Sequence, residues 1–325
     1  MLFTGRDIRK LKVFWVTLLF YSVVTSASGA EPRRVAITID DLPWVEFAIS
    51  SEASVRVRHR RLVAALERHS SKAIGFVNED KLYREGKLEP ARRQMLADWL
   101  SHGFDLGNHT YGHLGLHATP IADYEQAIAQ GEAVLRPLMQ RYGEHPRWFR
   151  HPYLQAGRDD VVRARLESFL AKHDYRIAPV TIDNGDWIFA RAYVNALNSR
   201  NKAQAASLRK SFIGYIQAKF SYYEQQSKRL FGREIPQVLL LHASALNADV
   251  MDELLTRLRK RGYAFATLDE VLEDAAYRHI DGYRGGAGIS WMHRWAMAEN
   301  RPRTFYEGEP EVPADVMALA GVDSE

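Results

Sequence analysis

The sequence predicts an α/β fold built on parallel strands, and three observations predict it. Seven short apolar runs rich in β-branched residues recur along the chain. Stretches with helical periodicity lie between them, and the polar residues able to do chemistry gather just after the runs. Strands separated by helices of ten or more residues need crossover connections. Crossovers make neighbouring strands parallel, in an open sheet or a barrel.

The first strand is 35–39, and a helix over 55–69 follows with Val55, Leu62 and Leu66 on one face and arginines on the other. The second strand is 73–77, then a helix over 91–102 closed by Gly103, then the third strand, 104–108. A single helix over 120–142 ends at Gly143 and leads to the fourth strand, 147–150. A helix over 159–173 precedes the fifth strand, 176–182; the sixth is 236–241, followed by a helix over 249–261 and the seventh strand, 263–268. The segment 188–234 is long for one crossover. In it Leu208, Phe212, Ile216, Phe220 and Tyr223 recur at three- and four-residue spacing, predicting a helix over 204–230 that either walls the cleft or covers the barrel flank. Trp291 and Trp295, one helical turn apart, pose the same question for 285–295. With no internal repeat or low-complexity linker, the expected organisation is one domain, 31–282, containing the insertion 188–234, and a C-terminal extension, 283–325.

The chain has 325 residues and no cysteine, which excludes disulfides, thiolate metal ligands and a thiol nucleophile. Its net charge of +4 is concentrated at the start. Residues 1–30 hold Arg6, Arg9, Lys10 and Lys12 against Asp7, so the remainder sits near +1 and gives no reason to expect a nucleic-acid partner. The same thirty residues read as an export signal: a basic start, the apolar stretch 13–24, and small residues before a cleavage site near Ala30. That stretch is about half of the roughly 20 residues a spanning helix needs. The expected mature protein is periplasmic or secreted, with no membrane span and no protein partner indicated.

The candidate site residues obey one positional rule. Asp40 and Asp41 follow the first strand, His109 and His113 the third, Arg150 and Tyr153 the fourth, Asp183, Asp186 and Trp187 the fifth, and His242 the sixth. In a parallel barrel the strand C-termini open on one face, which carries the active site. Two imidazoles four residues apart on a tight turn can converge on one point, and with one carboxylate of the Asp40–Asp41 pair they make a divalent-metal ligand set. Taken singly each has a structural reading: a loop-capping Asp for Asp40 or Asp41, a surface ion pair for Arg150, a loop brace for Asp183, a core residue for Trp187, a satisfied core histidine for His242.

Read together, the residues form motifs in an order that resembles the polysaccharide deacetylase family, the NodB-homology or carbohydrate esterase family 4 group. Thr38-Ile39-Asp40-Asp41 resembles its Thr-Phe-Asp-Asp, and His109-Thr110-Tyr111-Gly112-His113 its His-(Ser/Thr)-x-x-His. Arg150-His151-Pro152-Tyr153 resembles its Arg-x-Pro-Tyr, Asp183-Asn184-Gly185-Asp186-Trp187 its Asp-x-x-Asp-Trp, and Leu240-Leu241-His242 its final Leu-x-His region. The resemblance spans roughly 33–269. It implies a distorted seven-stranded (β/α) barrel and metal-dependent removal of acetyl groups from N-acetylated sugars in a chitin-, peptidoglycan- or exopolysaccharide-type substrate. It also implies roles. Asp41, His109 and His113 hold one divalent ion, Zn²⁺ foremost, with Co²⁺, Mn²⁺ and Ni²⁺ of the same class. Asp40 is the general base, and Arg150 orients it and keeps it ionised. The Tyr153 backbone N–H stabilises the oxyanion, with Tyr153 also meeting substrate. His242 protonates the leaving amine, Asp186 keeps that imidazole charged, and Trp187 lines the sugar-binding wall. His102, His117 and His151 fall outside the ligand set.

The chain departs from the family pattern at three places. Ile39 stands for Phe, and Leu42 and Leu154 stand where Gly is common. A leucine does not adopt positive φ cheaply, so the loop after the Asp pair is expected to take another path, carrying Pro43 and Trp44 with it. Three other readings stay open. These are an O-acetyl esterase using the same site, an iron oxygenase with two His and one carboxylate, and a binding module on an inactive barrel.

Overall fold

The strand at the centre, β1 (Arg33–Leu42), shows how the sequence builds both the core and the site. Its residues alternate between two cores: Val35, Ile37 and Ile39 belong to the large cluster shared with the helices, while Ala36 faces the other way, into the barrel. The barrel interior is filled by Ala36, Ile74, Phe76, Trp148, Ala178 and Val238. Stepping two residues along each strand from these positions reaches Thr38 and Asp40, Asn78, Arg150, and Leu240 and His242. The inward row therefore begins apolar and ends in the polar residues of the site.

This structure, a computed structural model, describes residues 33–47 and 51–324. The export signal expected over 1–30 lies outside them. After β1 come α1 (Glu52–Arg68), β2 (Ile74–Val77), a small hairpin of β3 (Tyr83–Arg84) and β4 (Lys87–Leu88), α2 (Pro90–Ser101) and β5 (Asp105–Asn108). They are followed by α3 (Ile121–Gln130), α4 (Leu135–Gln140), β6 (Trp148–Phe149), α5 (Asp160–Lys172) and β7 (Arg176–Ile177). The second half holds α6 (Asp186–Asn198), α7 (Lys202–Phe231), β8 (Gln237–His242), α8 (Ala245–Lys260), β9 (Tyr263–Phe265), α9 (Leu268–Leu272), α10 (Trp291–Ala298) and α11 (Ala314–Ala320).

The main sheet is parallel, in the order β7-β6-β5-β2-β1-β8, with β9 pairing the start of β1. It curls into the expected distorted barrel. β7 pairs with β6, but five residues on Ile182 bridges to Leu239 of β8, so one broken strand joins the two ends of the sheet. Thr181 seals this seam, its hydroxyl accepting from Val238 N at 2.8 Å. Among the described residues no helix is long and apolar enough to cross a membrane.

One expectation is corrected. The helix expected over 120–142 is two, α3 and α4, broken at Gly131, where a Cβ would lie 3.1–3.2 Å from Asn108 Oδ1 and the Thr110 backbone. Here the Ala127 carbonyl accepts from Tyr111 N at 2.9 Å as well as from Gly131 N at 3.1 Å, and the Ile128 carbonyl accepts from Asn108 Nδ2 at 2.8 Å. The Glu79 carboxylate caps the second helix through Val134 N and Leu135 N. Helical periodicity is blind to this, because the cause is a loop packed across the helix.

The helix expected over 204–230 is present as the 30-residue α7, and a further helix, α6, which begins at Asp186 itself, precedes it. At 1.5 Å per residue α7 is about 45 Å long. Tyr215 OH accepts from Gly185 N near the catalytic end, and Glu224 meets Arg33 and Arg261 at the opposite end, so α7 covers the barrel flank. The residues after 282 pack on this body, with Ser290 Oγ donating to the Thr181 carbonyl and Trp291 N to the Val180 carbonyl, both at 2.7 Å.

Candidate metal and catalytic site

Asp40 and His242 sit side by side because β1 and β8 pair with them in register. Asp41 comes next, and the backbone turns there into the left-handed region, φ 68°. That turn brings its carboxylate to the same mouth as Asp40 instead of the opposite face. His109 follows β5, and His113 stands on a second left-handed residue, φ 52°. The ligand atoms of Asp41, His109 and His113 all lie within 4.8 Å of one another. Asp41 Oδ1 is 4.0 Å from His109 Nε2 and 3.6 Å from His113 Nε2.

The donor set fits a divalent ion. His109 Nδ1 is 2.7 Å from the Arg150 carbonyl, so that nitrogen carries the proton and Nε2 keeps a lone pair facing Asp41. Burial lowers the pKa of His109 well below its ordinary value and that of His113 to about 4, so both rings are neutral, as ligands must be. Asp41 Oδ1 is buried without a hydrogen-bond partner. Burial alone would raise the Asp41 pKa, but the positive charge of Lys81 foremost, with that of His242, outweighs it and holds the group ionised. Lys81, which nothing in the sequence pattern marks, puts Nζ 3.1 Å from Asp41 Oδ1 and 3.0 Å from Asn78 Oδ1.

Asp40 is 2 % exposed and faces the fully buried Arg150, whose guanidinium lies 3.4 Å from Asp40 Oδ2, donates to Thr38 Oγ1 at 3.0 Å and covers the Phe76 ring. The Arg150 charge lowers the Asp40 pKa, but burial outweighs it and the carboxyl is raised to about 6. Asp40 Oδ1 is also without a hydrogen-bond partner.

On the opposite wall, Asp186 lies in the first turn of α6, where the helix dipole favours a carboxylate. It accepts from His242 N at 2.8 Å and from Asn247 Nδ2 at 2.6 Å, and pairs with His242 Nδ1 at 2.6 Å. Burial lowers the His242 pKa, but the charge and hydrogen bond of Asp186 outweigh it and carry the imidazole to about 9. Asn184 braces the loop, with Oδ1 accepting from Asp186 N and Nδ2 donating to the Leu240 carbonyl. Asp183 accepts from Asn184 N at 2.9 Å, and burial, opposed by Lys219, raises its pKa to about 6. Trp187 is half-buried against the main core.

At the rim Tyr153 is 58 % exposed, its ring 4.5 Å from that of His113. Tyr153 and Leu154 are consecutive left-handed residues, φ 54° and 50°. Leu154 therefore keeps a backbone suited to glycine in spite of its Cβ. At the other departure the left-handed φ falls on Asp41, and Leu42 is buried over Gly75, where a Cβ would stand 2.0 Å from Leu42 Cδ1. Strained backbone of this kind costs of order 1 kcal/mol or more per residue, and Asp41, Thr110, His113, Tyr153 and Leu154 gather it at the site. Of the other histidines, His102 caps its own helix, pairing with the Asp98 carbonyl, His117 pairs with the Gly286 carbonyl, and His151 is buried outside the ligand cluster. Sequence reasoning missed Asn78, Lys81 and Asn247. Asn78 directly follows β2 and obeys the positional rule applied elsewhere, so it was within reach; for the other two no signal exists.

Residues 27–173 match the family model described as polysaccharide deacetylase. No curated protein matches. Among solved structures the chain is similar to the Bc1960 peptidoglycan N-acetylglucosamine deacetylase (19 % identity, 75 % of this chain and 90 % of that one, TM-score 0.49). It is also similar to the peptidoglycan deacetylase PdaC from Bacillus subtilis (18 %, 75 % and 93 %, 0.46). A third is BA3943 from Bacillus anthracis, described as a CE4 family pseudoenzyme (16 %, 74 % and 66 %, 0.48).

Proposed function

From the premise that this chain is a member of the polysaccharide deacetylase family through residues 27–173, we propose that it is an exported, metal-dependent hydrolase of N-acetyl groups on a sugar polymer or oligosaccharide. The substrate class is chitin-, peptidoglycan- or exopolysaccharide-type. One observation carries the reading: a carboxyl with pKa raised to about 6 and an imidazole raised to about 9 flank the Asp41–His109–His113 cluster. A base and an acid with proton affinities pushed to either side of neutrality are what hydrolysis of an amide needs. Export rests on the basic-then-apolar first thirty residues.

A divalent ion held by Asp41, His109 and His113, Zn²⁺ first among candidates, supplies Lewis acidity to water and to an acetyl carbonyl. Asp40 takes the proton of the attacking water; ionised above about pH 6, it is a stronger base than an exposed aspartate. Arg150 fixes the orientation of that carboxylate. The Tyr153 backbone N–H donates to the carbonyl oxygen as negative charge builds there. His242 gives its proton to the nitrogen as the C–N bond breaks, releasing acetate and a free amine, and Asp186 stabilises the imidazolium beforehand. Trp187 offers an apolar wall to the sugar ring.

The test is acetate release from chitooligosaccharides, peptidoglycan fragments and acetylated xylan, with and without chelator, alongside oxygen uptake. The expected result is release from an N-acetylated substrate, abolished by chelator and restored by Zn²⁺. Release from xylan alone transfers the reading to ester cleavage, and oxygen uptake or chelator-insensitive release overturns it.

A further inference from the structure

We infer that the segment 281–294, which lies beyond the family match, is a working part of the site: it positions the Tyr153–Leu154 turn for the reaction. The inference rests on the function proposed above for its catalytic half and on contacts alone for its structural half. Two adjacent L-residues in the left-handed region need an outside restraint, because each gains by relaxing to negative φ. The segment supplies the restraint at two points. The Gly288 backbone lies directly on the turn, so closely that a Cβ there would stand 1.9 Å from Tyr153 O and 3.0 Å from Leu154 Cβ. Arg294, 1 % exposed, donates through Nη2 to the Leu154 carbonyl.

Arg294 is itself held on every side. Its Nε donates to the Ile289 carbonyl at 2.9 Å, Nη1 lies 3.1 Å from Asp281 Oδ2, and the guanidinium covers the rings of Trp291 and Tyr283. Asp281 is shared with Arg163 of α5. The segment is also tied to the seam strand through Ser290 and Trp291, just ahead of Asp183 and Asp186. It thereby spans from the strand that brings Asp186 to the turn that brings Tyr153. A flexible residue in place of Arg294 would leave Asp281 and the Leu154 carbonyl poorly paired in a buried setting. Arg294 and Gly288 are thus positioning residues, acting through Tyr153 and not on substrate.

Arg294→Met is the obvious variant, but loss of a buried cation can unfold the chain. Gly288→Ala carries the test instead, because its added methyl pushes on the Tyr153 carbonyl and on Leu154 Cβ, the two residues of the turn. Gly214→Ala is the control, at a helical glycine where a Cβ meets nothing within 4 Å. Full-length Zn²⁺-loaded proteins are compared by acetate-release kinetics, metal content and amide hydrogen exchange of peptides covering 150–156 and 105–113. For Gly288→Ala the expectation is a kcat at least about 10-fold lower with KM and metal content unchanged. Exchange should be faster in 150–156 alone, and Gly214→Ala should match the wild type. An unchanged kcat, a loss confined to KM, or loss of metal overturns the inference. If the wild type itself releases no acetate, the proposed function fails separately. Exchange then decides whether the segment holds the turn: unaltered protection of 150–156 contradicts it, and faster exchange there upholds it.

Discussion

The two walls of the site differ in kind. On the wall built from β1 and β5, Asp40 Oδ1 and Asp41 Oδ1 are buried without hydrogen-bond partners, two neutral imidazoles face a carboxylate, and the backbone is left-handed at Asp41 and His113. On the wall built from β8 and α6, both Asp186 oxygens are engaged, and His242 holds its proton against burial. A buried oxygen left without a partner costs about 1–3 kcal/mol, more for a charged group. Lys81 Nζ, 3.1 Å from Asp41 Oδ1, and Arg150, 3.4 Å from Asp40 Oδ2, place positive charge on the first wall without hydrogen-bonding either Oδ1, so this wall still has acceptors to offer a divalent ion. The second wall is complete within the chain. The difference predicts that the metal wall and the acid wall can be broken independently.

The largest expected effect is on the metal wall. His109→Ala should lose bound metal and at least about 10³-fold in kcat/KM, the scale of several kcal/mol of Lewis-acid stabilisation. The apolar core should keep the fold, as checked by circular dichroism. Stoichiometric metal with full activity in this variant would break the comparison.

Next in size is Asp40→Asn, which keeps the shape of the side chain and removes the proton acceptor. Turnover should fall about 10²-fold or more while metal content stays near wild type. Loss of metal in that variant would mean that Asp40 belongs to the ligand set, erasing the distinction between base and ligand.

The smallest expected effect sharpens the acid wall. His242 is protonated below about pH 9, so the acid form persists through neutrality and the alkaline limb of the pH–rate profile should lie near 9. Asp186→Asn removes the charge that raises it, and the limb should move down by about one to two units toward the ordinary imidazole range. An unmoved limb would place the titrating acid elsewhere.

Much of this was legible because short apolar runs and the strand-end rule both act on local sequence. The β-branched run 35–39 announces β1 and places Asp40 and Asp41 at its end, and the continuous apolar run 238–241 does likewise for His242. The breaks were not legible. Gly131 ends α3 because the His109–Tyr111 loop crosses it, and Asp186 starts a helix whose N-terminus is framed by the neighbouring Asn184 and by Tyr215 of α7. Arg150 lowers the Asp40 proton affinity, as its place in the motif implies, but the burial that outweighs it is not visible in the sequence. The contacts of Gly288 and Arg294 with the turn are long-range, and no spacing in the sequence foretells them.

The most direct test of the independence of the two walls is calorimetric titration of Zn²⁺ into chelator-treated wild type, His113→Ala and Asp186→Asn. The account predicts one site of like affinity in wild type and Asp186→Asn, and binding at least about 100-fold weaker in His113→Ala. Wild-type affinity in His113→Ala, or loss of the site in Asp186→Asn, would contradict it.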